Sequence, residues 1–248
     1  MLKGICHLSC IPVRSAPDSK SEMVTQLLMG ETYFVVEEGK DWFFIETDWD
    51  RYNGWINRTQ FEENTNAPDT KVITNSVVSY AIGERNTVLS MGSELGFDGE
   101  SYQLRHKGGI PVQLSAQNSI SSPIMLAEHF LGTPYLWGGR TFMGIDCSGL
   151  VQVVNKALGI ALPRDAKDQA FAGDGVAFLQ EAQAGDLAFF DNEEERIIHV
   201  GILKSPEEII HAHGEVRLDR IDAQGIYNAD KQRYTHRLRL IKRLRYKA

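Results

Sequence analysis

The feature that most constrains the fold of this chain is a change in apolar spacing after Ser119. Before that residue, short apolar stretches alternate with Gly and Asp turns, which is typical of small all-β units. After it, apolar residues recur at helical spacing over residues 124–131 and 150–158, and strand-like stretches resume at Asp186. Helices followed by antiparallel strands predict an α+β domain behind an all-β half.

The same spacing suggests three units along the chain. Residues 1–62 contain three short apolar strands with turn residues between them, which predicts a small barrel. A polar, unpatterned stretch over residues 62–70 indicates a linker. Residues 71–118 then read as a second, weaker β unit, and residues 121–248 as the α+β domain.

The charge balance argues against a nucleic-acid partner. The chain has 248 residues and a formal net charge of -7, whereas a nucleic-acid binder normally presents a basic surface. The exception is the basic run over residues 233–247. We interpret that run as a solvated edge strand in preference to a phosphate-binding patch.

The three cysteines are expected to be free thiols. Cys6 and Cys10 fall on what reads as one strand, on one face but too far apart for a disulfide, and an odd count leaves Cys147 over. Free thiols are typical of a reducing compartment. A zinc site built from Cys6, His7 and Cys10 is a less favoured alternative, because no second pair of ligands follows.

The remaining general expectations concern location and assembly. The N-terminus has no apolar stretch long enough for a signal peptide, and no run of about 18 apolar residues occurs. A cytoplasmic protein without a membrane segment is therefore expected. No cofactor is predicted, and a monomer is favoured.

A candidate nucleophile stands where a glycine-rich loop meets a predicted helix. Cys147 follows the loop over residues 133–140 and precedes the apolar positions of the helix. The unpaired N–H groups of a first helical turn carry partial positive charge, so we expect the pKa of the Cys147 thiol to fall. The alternative is a small buried core residue, which is common for free cysteine.

A nucleophilic cysteine needs a base, and histidines of two successive strands are the candidates. If the hairpin folds about Ser205, His199 and His211 face each other, with Cβ atoms about 4.5–5.5 Å apart. His211 would then orient His199, and His213 on the same face competes for that role. Histidines that only cap the sheet are one alternative, and a metal pair without an acidic third ligand is another.

Six motifs in order resemble the NlpC-type cell-wall cysteine peptidases, a papain-like family. They extend over about residues 122–245 and read Pro-Tyr-Leu-Trp-Gly-Gly, Asp-Cys-Ser-Gly-Leu-Val, Leu-Pro-Arg-Asp, Gln-Ala-Gly-Asp-Leu-Ala-Phe-Phe, His-Val-Gly-Ile and Ile-His-Ala. The resemblance implies that Cys147 is the nucleophile and His199 the base. It places the third catalytic residue on His211 in preference to His213.

The resemblance also implies a fold and a substrate. The N-terminal half resembles the bacterial SH3-like barrels that accompany these peptidases, so we expect a papain-like α+β domain preceded by one or two such barrels. The arrangement is most similar to the peptidoglycan-recycling branch. Members of that branch cleave the γ-D-glutamyl–L-diamino acid bond of muropeptides that carry a free N-terminal L-alanine.

Substrate contacts follow from the same resemblance. Asp165 is expected to bind the alanine ammonium through a buried, charge-assisted hydrogen bond, helped by Glu22 and Tyr52 of the first barrel. Ala166 stands where related sequences tend to have serine, so one substrate hydrogen bond is expected to be missing or moved. Tyr135 is expected to line the cleft near the oxyanion.

The neighbours of the nucleophile complete the expected substrate site, namely Asp146, Ser148 and Gly149. If the first barrel closes one end of the cleft, intact wall with amide-linked L-alanine would be excluded. Two alternatives to this enzyme stay open at this point. One is a non-catalytic peptidoglycan-binding module, and the other is an amidase or acyltransferase on the same scaffold.

Overall fold

A computed structural model describes residues 2–64, 70–74, 77–82, 85–97, 102–103, 111–112 and 122–246. The chain forms two compact units: the first contains Met1–Ser119 and Trp137–Phe142, and the second contains Ile120–Leu136 and Met143–Ala248. The short segment Trp137–Phe142, which the sequence places inside the α+β domain, thus groups with the first unit. Across the described part of the chain, no helix has the length and apolar character needed to cross a membrane.

The first six strands of the first unit form one antiparallel sheet in the order β1-β4-β5-β6-β2-β3. Their bounds are β1 Lys3–Ile5, β2 Cys10–Arg14, β3 Met23–Leu28, β4 Thr32–Glu38, β5 Trp42–Thr47 and β6 Asn53–Asn57, with a 3-10 turn at Arg58–Gln60. The alternating side chains of these strands meet in a core that includes Ile11, Leu27, Tyr33, Phe43 and Ile45. The predicted small barrel is confirmed, including all three expected strands.

Close approach of two of these strands depends on a glycine. A Cβ atom at Gly54 of β6 would come within 2.5 Å of Val13 Cγ1 and 2.9 Å of the Arg14 carbonyl oxygen on β2. The prediction of one strand through Cys6 and Cys10 is wrong, because a turn separates β1 from β2. Both residues are free cysteines, and Cys6 donates to the backbone oxygens of Leu8 and Leu27.

The rest of the first unit consists of shorter ladders. Strands β7, β10, β11 and β12 form a sheet in the order β12-β11-β10-β7, and β8 pairs with β9. Their bounds are β7 Thr70–Val72, β8 Val77–Ile82, β9 Arg85–Ser90, β10 Glu94–Phe97, β11 Tyr102–Gln103, β12 Pro111–Val112 and, later in the chain, β13 Arg140–Thr141. Most of the predicted linker, at residues 65–69, lies outside the described residues.

A buried ion pair holds the segment Trp137–Phe142, which we call the returning segment, in the first unit. The guanidinium of Arg140 donates two hydrogen bonds of 2.9 Å to the Glu31 carboxylate, and both side chains are 4% exposed. The backbone N–H of Arg140 also donates to Gln26 Oε1 at 2.7 Å. These hydrogen bonds hold the segment Trp137–Phe142, which comes from the second half of the sequence, in the first unit.

The second unit packs three helices and a seven-stranded antiparallel sheet with the order β15-β21-β16-β17-β18-β19-β20. The bounds are α1 Pro123–Glu128, β14 Gly144–Ile145, α2 Cys147–Ala157, α3 Ala166–Gln169, β15 Asp174–Val176, a 3-10 turn Leu179–Glu181, β16 Leu187–Asp191, β17 Ile197–Ser205, β18 Glu208–His213, β19 Glu215–Asp222, β20 Gly225–Asn228 and β21 Arg233–Arg243. Ser122 caps α1 and Pro123 begins it, as predicted.

The basic C-terminal run is not an edge strand, so that prediction is wrong. Strand β21 pairs with β16 along one side and with both β15 and β20 along the other. Its charged residues are tolerated in this interior position because buried carboxylates of the sheet accept from them. Arg237 donates to Asp191 at 2.7 Å and Arg243 to Asp186 at 2.9 Å.

Candidate active site

Cys147 is the first residue of α2, as the sequence predicts, and its side chain is 7% exposed. The preceding residue, Asp146, caps the helix by accepting the N–H of Gly149 at 2.7 Å. The backbone groups of Val200 and Ser148 lie near the thiol and act to lower its pKa. Because Val200 follows His199 on β17, the thiol lies beside the strand that carries the predicted base.

A buried arginine fixes the start of this helix. Arg164, 2% exposed, donates from Nη1 to Asp146 at 3.0 Å and to Ser148 Oγ at 2.8 Å, and its Nη2 donates to the other Asp146 oxygen. We call Arg164, Asp146 and Ser148 the guanidinium cluster. It occupies both polar side chains next to Cys147, so the expected substrate contacts of Asp146, Ser148 and Gly149 stay a prediction.

His199 and His211 lie in hydrogen-bond contact, with His199 Nε2 2.9 Å from His211 Nδ1. The predicted register is wrong in detail, because His211 is opposite Gly201 and an irregularity interrupts the ladder between Leu203 and Ser205. His199 and His211 are therefore diagonal neighbours. Gly201 makes room for this arrangement, since a Cβ there would come within 2.9 Å of His211 Cβ.

A carboxylate that the sequence analysis missed completes the hydrogen-bond series. His211 Nε2 lies 3.1 Å from Asp219 Oδ2, and Arg217 donates to both oxygens of Asp219 at 2.8 and 2.9 Å. Asp219 is buried on β19; although burial opposes it, the hydrogen bonds from His211 and Arg217 keep the pKa of this carboxyl below its usual value. The signal available in the sequence was the two-residue period that places Asp219 on one face with Arg217, opposite His211.

This series determines the tautomers of both histidines. An ionised Asp219 only accepts, so the proton of neutral His211 is on Nε2 and its Nδ1 accepts from His199 Nε2–H. That leaves the Nδ1 lone pair of His199 able to accept a proton, as its predicted role as base requires. We therefore assign Asp219 as a positioning residue that acts through His211.

A second missed residue, His236 of β21, stacks on the base. The rings of His199 and His236 lie 4.1 Å apart at their centroids with planes 23° apart. Ligand atoms of His199, His211 and His236 all lie within 4.8 Å of one another. We call these three residues the imidazole cluster. Their ring nitrogens are a possible set of ligands for a metal ion. The ring of His213 is stacked on that of His211, with their centroids 6.4 Å apart. Of these two histidines, His211 is the one that forms the hydrogen bond with His199.

The prediction of a lowered thiol pKa is wrong for this state of the protein. Burial, together with the neighbouring Asp146 carboxylate, raises the pKa of Cys147 to about 12, against the smaller opposing effects of Val200 and Arg164. Burial also lowers the pKa of His199 well below its usual value, with His211 adding to the effect. The site therefore contains a neutral thiol and a neutral imidazole, and the helix terminus does not outweigh burial.

Tyr135 lies near the nucleophile, as expected for a residue lining the cleft. Its N–H donates to the Gly214 carbonyl at 2.9 Å, and it forms a parallel bridge with Ile145. Burial raises the pKa of Tyr135, and the neighbouring Cys147 and Asp146 raise it further. The bridge with Ile145, two residues before Cys147, places Tyr135 in the neighbourhood of the nucleophile.

Asp165 is more accessible than predicted. Its side chain is 36% exposed, lies 3.8 Å from Lys167 Nζ, and does not cap α3, which begins at the buried Ala166. The expected buried carboxylate is therefore a half-exposed one, because α3 is a short surface helix. Gln169 fastens that helix by donating to the Ser148 and Pro163 carbonyls at 3.0 and 2.8 Å.

Glu22 and Tyr52, the expected helpers of Asp165, belong to the first unit. Glu22 is exposed and accepts a hydrogen bond of 2.6 Å from Trp137 Nε1 of the returning segment. The backbone N–H of Tyr52 donates to Thr47 Oγ1 at 2.8 Å. Their part in substrate binding stays a prediction.

A helix-borne cysteine beside a strand-borne histidine, with a second histidine orienting the first, defines a papain-like cysteine peptidase. Comparison with known proteins identifies the family. The NlpC/P60 family profile matches residues 132–239, and that of the bacterial dipeptidyl-peptidase Sh3 domain matches residues 13–61. A gamma-D-glutamyl-L-lysine dipeptidyl-peptidase of Bacillus subtilis (strain 168) is 33% identical in an alignment 214 positions long, gaps included, that covers 76% of this chain and 71% of that protein.

Two further similarities extend over most of the chain. Dipeptidyl-peptidase 6 of Lysinibacillus sphaericus is 26% identical in an alignment 246 positions long, gaps included, that covers 84% of this chain and 88% of that protein. The crystal structure of an NlpC/P60 family protein from Bacillus cereus has a TM-score of 0.74 at 21% identity, covers 97% of this chain and 99% of its own, and shows the fold. The chain belongs to the NlpC/P60 family, and it is a hydrolase with the peptidase activity on cell-wall peptides that this family carries.

Proposed function

We propose that the protein hydrolyses the γ-D-glutamyl–L-diamino acid bond of murein-derived peptides that have a free N-terminal L-alanine. The observation that carries the proposal is the hydrogen-bond series from His199 through His211 to Asp219, beside Cys147. That series leaves one imidazole nitrogen free to take the thiol proton. The names of two relatives that cover most of the chain, both dipeptidyl-peptidases, support the choice of bond.

The reaction begins from the neutral pair. His199 Nδ1 takes the proton of Cys147, and the sulfur attacks the γ-carbonyl carbon of D-glutamate. The negative charge develops on the carbonyl oxygen, where the Cys147 backbone N–H and Tyr135 are proposed to stabilise it. His199 then returns its proton to the amine of the diamino acid, which leaves, and a thioester remains on the enzyme.

Hydrolysis of the thioester reverses these roles. His199 Nδ1 takes a proton from water, the resulting hydroxide attacks the thioester carbonyl, and the sulfur leaves and regains a proton. The product is L-Ala-γ-D-Glu. Asp219 keeps its charge throughout, because its role is to hold the proton on His211 Nε2.

Recognition of the free amine is proposed to involve Asp165. A half-exposed carboxylate just before the surface helix α3 is accessible to a substrate ammonium, and a charge-assisted hydrogen bond between the two would be favourable. Glu22 and Tyr52 are proposed to assist. Action on recycled peptides in the cytoplasm is part of the same proposal, and cell fractionation with an antibody to the protein would test it.

The deciding experiment is mass spectrometry of L-Ala-γ-D-Glu-L-Lys incubated with the wild type and with Cys147→Ala. Release of L-Ala-γ-D-Glu by the wild type alone would support both the bond and the nucleophile. Cleavage of other amides but not of this bond would favour an amidase or acyltransferase. Equal inactivity of both proteins on every peptide, with peptide binding retained, would favour a binding module and contradict the proposal.

The choice of amine is tested with an N-acetylated form of the same peptide. We expect the wild type to cut it at least about 100-fold more slowly, because the charge-assisted contact is lost and the amine site must accommodate an acyl group. Asp165→Asn should reduce kcat/KM for the free-amine peptide only. Asp168→Asn, on the same surface helix and exposed, is the matched control and should leave both rates unchanged.

A further inference from the structure

The imidazole cluster has a composition that the peptidase reaction does not require. A thiol peptidase needs one base and one orienting residue, which are His199 and His211. His236 is a third imidazole, stacked on the base at 4.1 Å and in edge contact with His211 at 5.7 Å. Ligand atoms of the three rings lie within 4.8 Å of one another, and this group of the described residues does not include Cys147.

The geometry points to an inhibitory Zn²⁺ site formed by His199, His211 and His236. Three imidazole nitrogens and one open position are a common zinc donor set, with Zn–N distances of about 2.0–2.1 Å and ligand nitrogens about 3.3 Å apart. The pair His199 Nε2 and His211 Nδ1, now 2.9 Å apart, needs to open only slightly. The third nitrogen needs to move in by about an ångström or more, which a side-chain rotation of the half-buried His236 can supply.

Hydrogen bonds on the outer edges of two rings select the ligand atoms. His211 Nε2 is engaged by Asp219 at 3.1 Å, which leaves Nδ1 for the metal. His236 Nδ1 lies 2.9 Å from Thr235 Oγ1, which leaves Nε2. A carboxylate on the far nitrogen of a metal-bound histidine orients the ring and increases its basicity, so Asp219 would serve as an outer-shell partner.

The charges around the cluster are compatible with a cation. Asp219 supplies a negative charge next to His211, and Arg217 is already engaged by Asp219 and Asp230. Lys231 Nζ lies 3.5 Å from Nε2 of His213, which is not one of the three proposed ligands.

Zinc at this position would stop the reaction by changing a tautomer. At present the proton of His199 is on Nε2 and the base is Nδ1. Coordination through Nε2 moves that proton to Nδ1, with no net proton released, and Nδ1 can no longer accept the proton of Cys147. Because the metal acts on the base and not on the peptide, we expect kcat to fall while KM is unchanged.

The test is calorimetric titration of the whole protein with Zn²⁺, without substrate, for the wild type, Cys147→Ala and His236→Phe. The phenyl ring of His236→Phe retains the stacking surface and removes the ligand. We expect one zinc per wild-type chain, similar affinity in Cys147→Ala, and affinity lowered at least about 100-fold in His236→Phe. His213→Phe, a neighbouring histidine outside the cluster, is the matched control and should stay within about threefold of the wild type.

Two results would overturn this site. If His236→Phe binds zinc as the wild type does, the third ligand is wrong. If Cys147→Ala loses zinc, the metal is held by the thiol and its base.

The Co²⁺ absorption spectrum of the wild type tests the ligand set without a variant. A thiolate-to-cobalt charge-transfer band would contradict a site of three imidazoles. The absence of that band, together with tetrahedral ligand-field bands, would support such a site. Because zinc binding is measured without peptide, its result is independent of whether the proposed function is correct.

Discussion

The active site stabilises buried polar groups differently on the side of Cys147 and on the side of His199. On the nucleophile side, the guanidinium cluster contains an ion pair, in which the buried Arg164 donates to both oxygens of Asp146. On the base side, the imidazole cluster is neutral, and its only adjacent carboxylate, among the contacts that the structure describes, is Asp219 behind His211. Charge on one side provides fixed geometry, and neutrality on the other leaves a nitrogen that can take and return a proton.

The difference follows from what each side must do. A bidentate guanidinium–carboxylate pair has one favoured geometry, and breaking it leaves a charge without a partner in a medium of low dielectric. A proton-transfer group must change its charge during the reaction, so its resting state has to be the one that accepts a proton. Burial achieves this by lowering the pKa of His199, although the same burial keeps Cys147 protonated.

The largest expected effect comes from removing the charge on the nucleophile side. Arg164→Met should reduce the free energy of unfolding by about 3–5 kcal/mol, because Asp146 would remain buried without its cation. Chemical denaturation monitored by fluorescence would measure it. The double variant Arg164→Met/Asp146→Asn should recover part of the loss. A single variant within about 1 kcal/mol of the wild type would show that Asp146 does not depend on this pair.

Acid should destabilise the base side next. Histidines with a folded pKa below the unfolded value of about 6.5 bind fewer protons when folded, so stability is retained above that pH and lost as the pH falls below it. From pH 6.5 to 5.5 we expect a loss of about 1 kcal/mol from His236, whose pKa burial lowers to about 3, and losses in the same direction from His199 and His211. His236→Phe should lose about 1 kcal/mol less than the wild type over this range, and an identical loss would contradict the buried, neutral state of this ring.

Breaking the link to the carboxylate should have a smaller, kinetic effect. Asp219→Asn keeps the shape of the side chain but also lets it donate, so His211 can adopt the wrong tautomer. We expect kcat to fall at least about 10-fold with KM unchanged, and the pH profile of kcat to change. A parallel fall in thermal stability with an unchanged pH profile would indicate a merely structural residue.

The smallest effect should come from the outer histidine. His213 contacts His211 and His236 but does not reach His199, so His213→Gln should change kcat/KM by less than about threefold. His211→Gln, measured in the same assay, should cost far more. Equal losses in the two variants would show that His213 shares the orienting role and would erase the distinction between the inner and outer imidazoles.

Motifs with local causes could be predicted from the sequence. The helix that begins at Cys147, the strands that carry His199 and His211, and the small barrel of the first unit all follow from periodicity and turn residues, which act over a few positions. The sequence analysis missed Asp219 and His236, because they lie far along the chain from Cys147 and belong to none of the recognised motifs. The hairpin register was predicted without the irregularity between Leu203 and Ser205, which depends on packing.

The sequence by itself determined the family and the fold class, and it predicted which residues form the nucleophile and the base. Only the tertiary structure decided their state. Burial outweighs the helix terminus at Cys147, the pairing of β21 inside the sheet brings His236 onto His199, and the pairing of β19 with β18 places Asp219 behind His211. The physical reason is that pKa values and hydrogen-bond partners depend on solvent exclusion and on contacts between distant segments, and neither is encoded in local spacing.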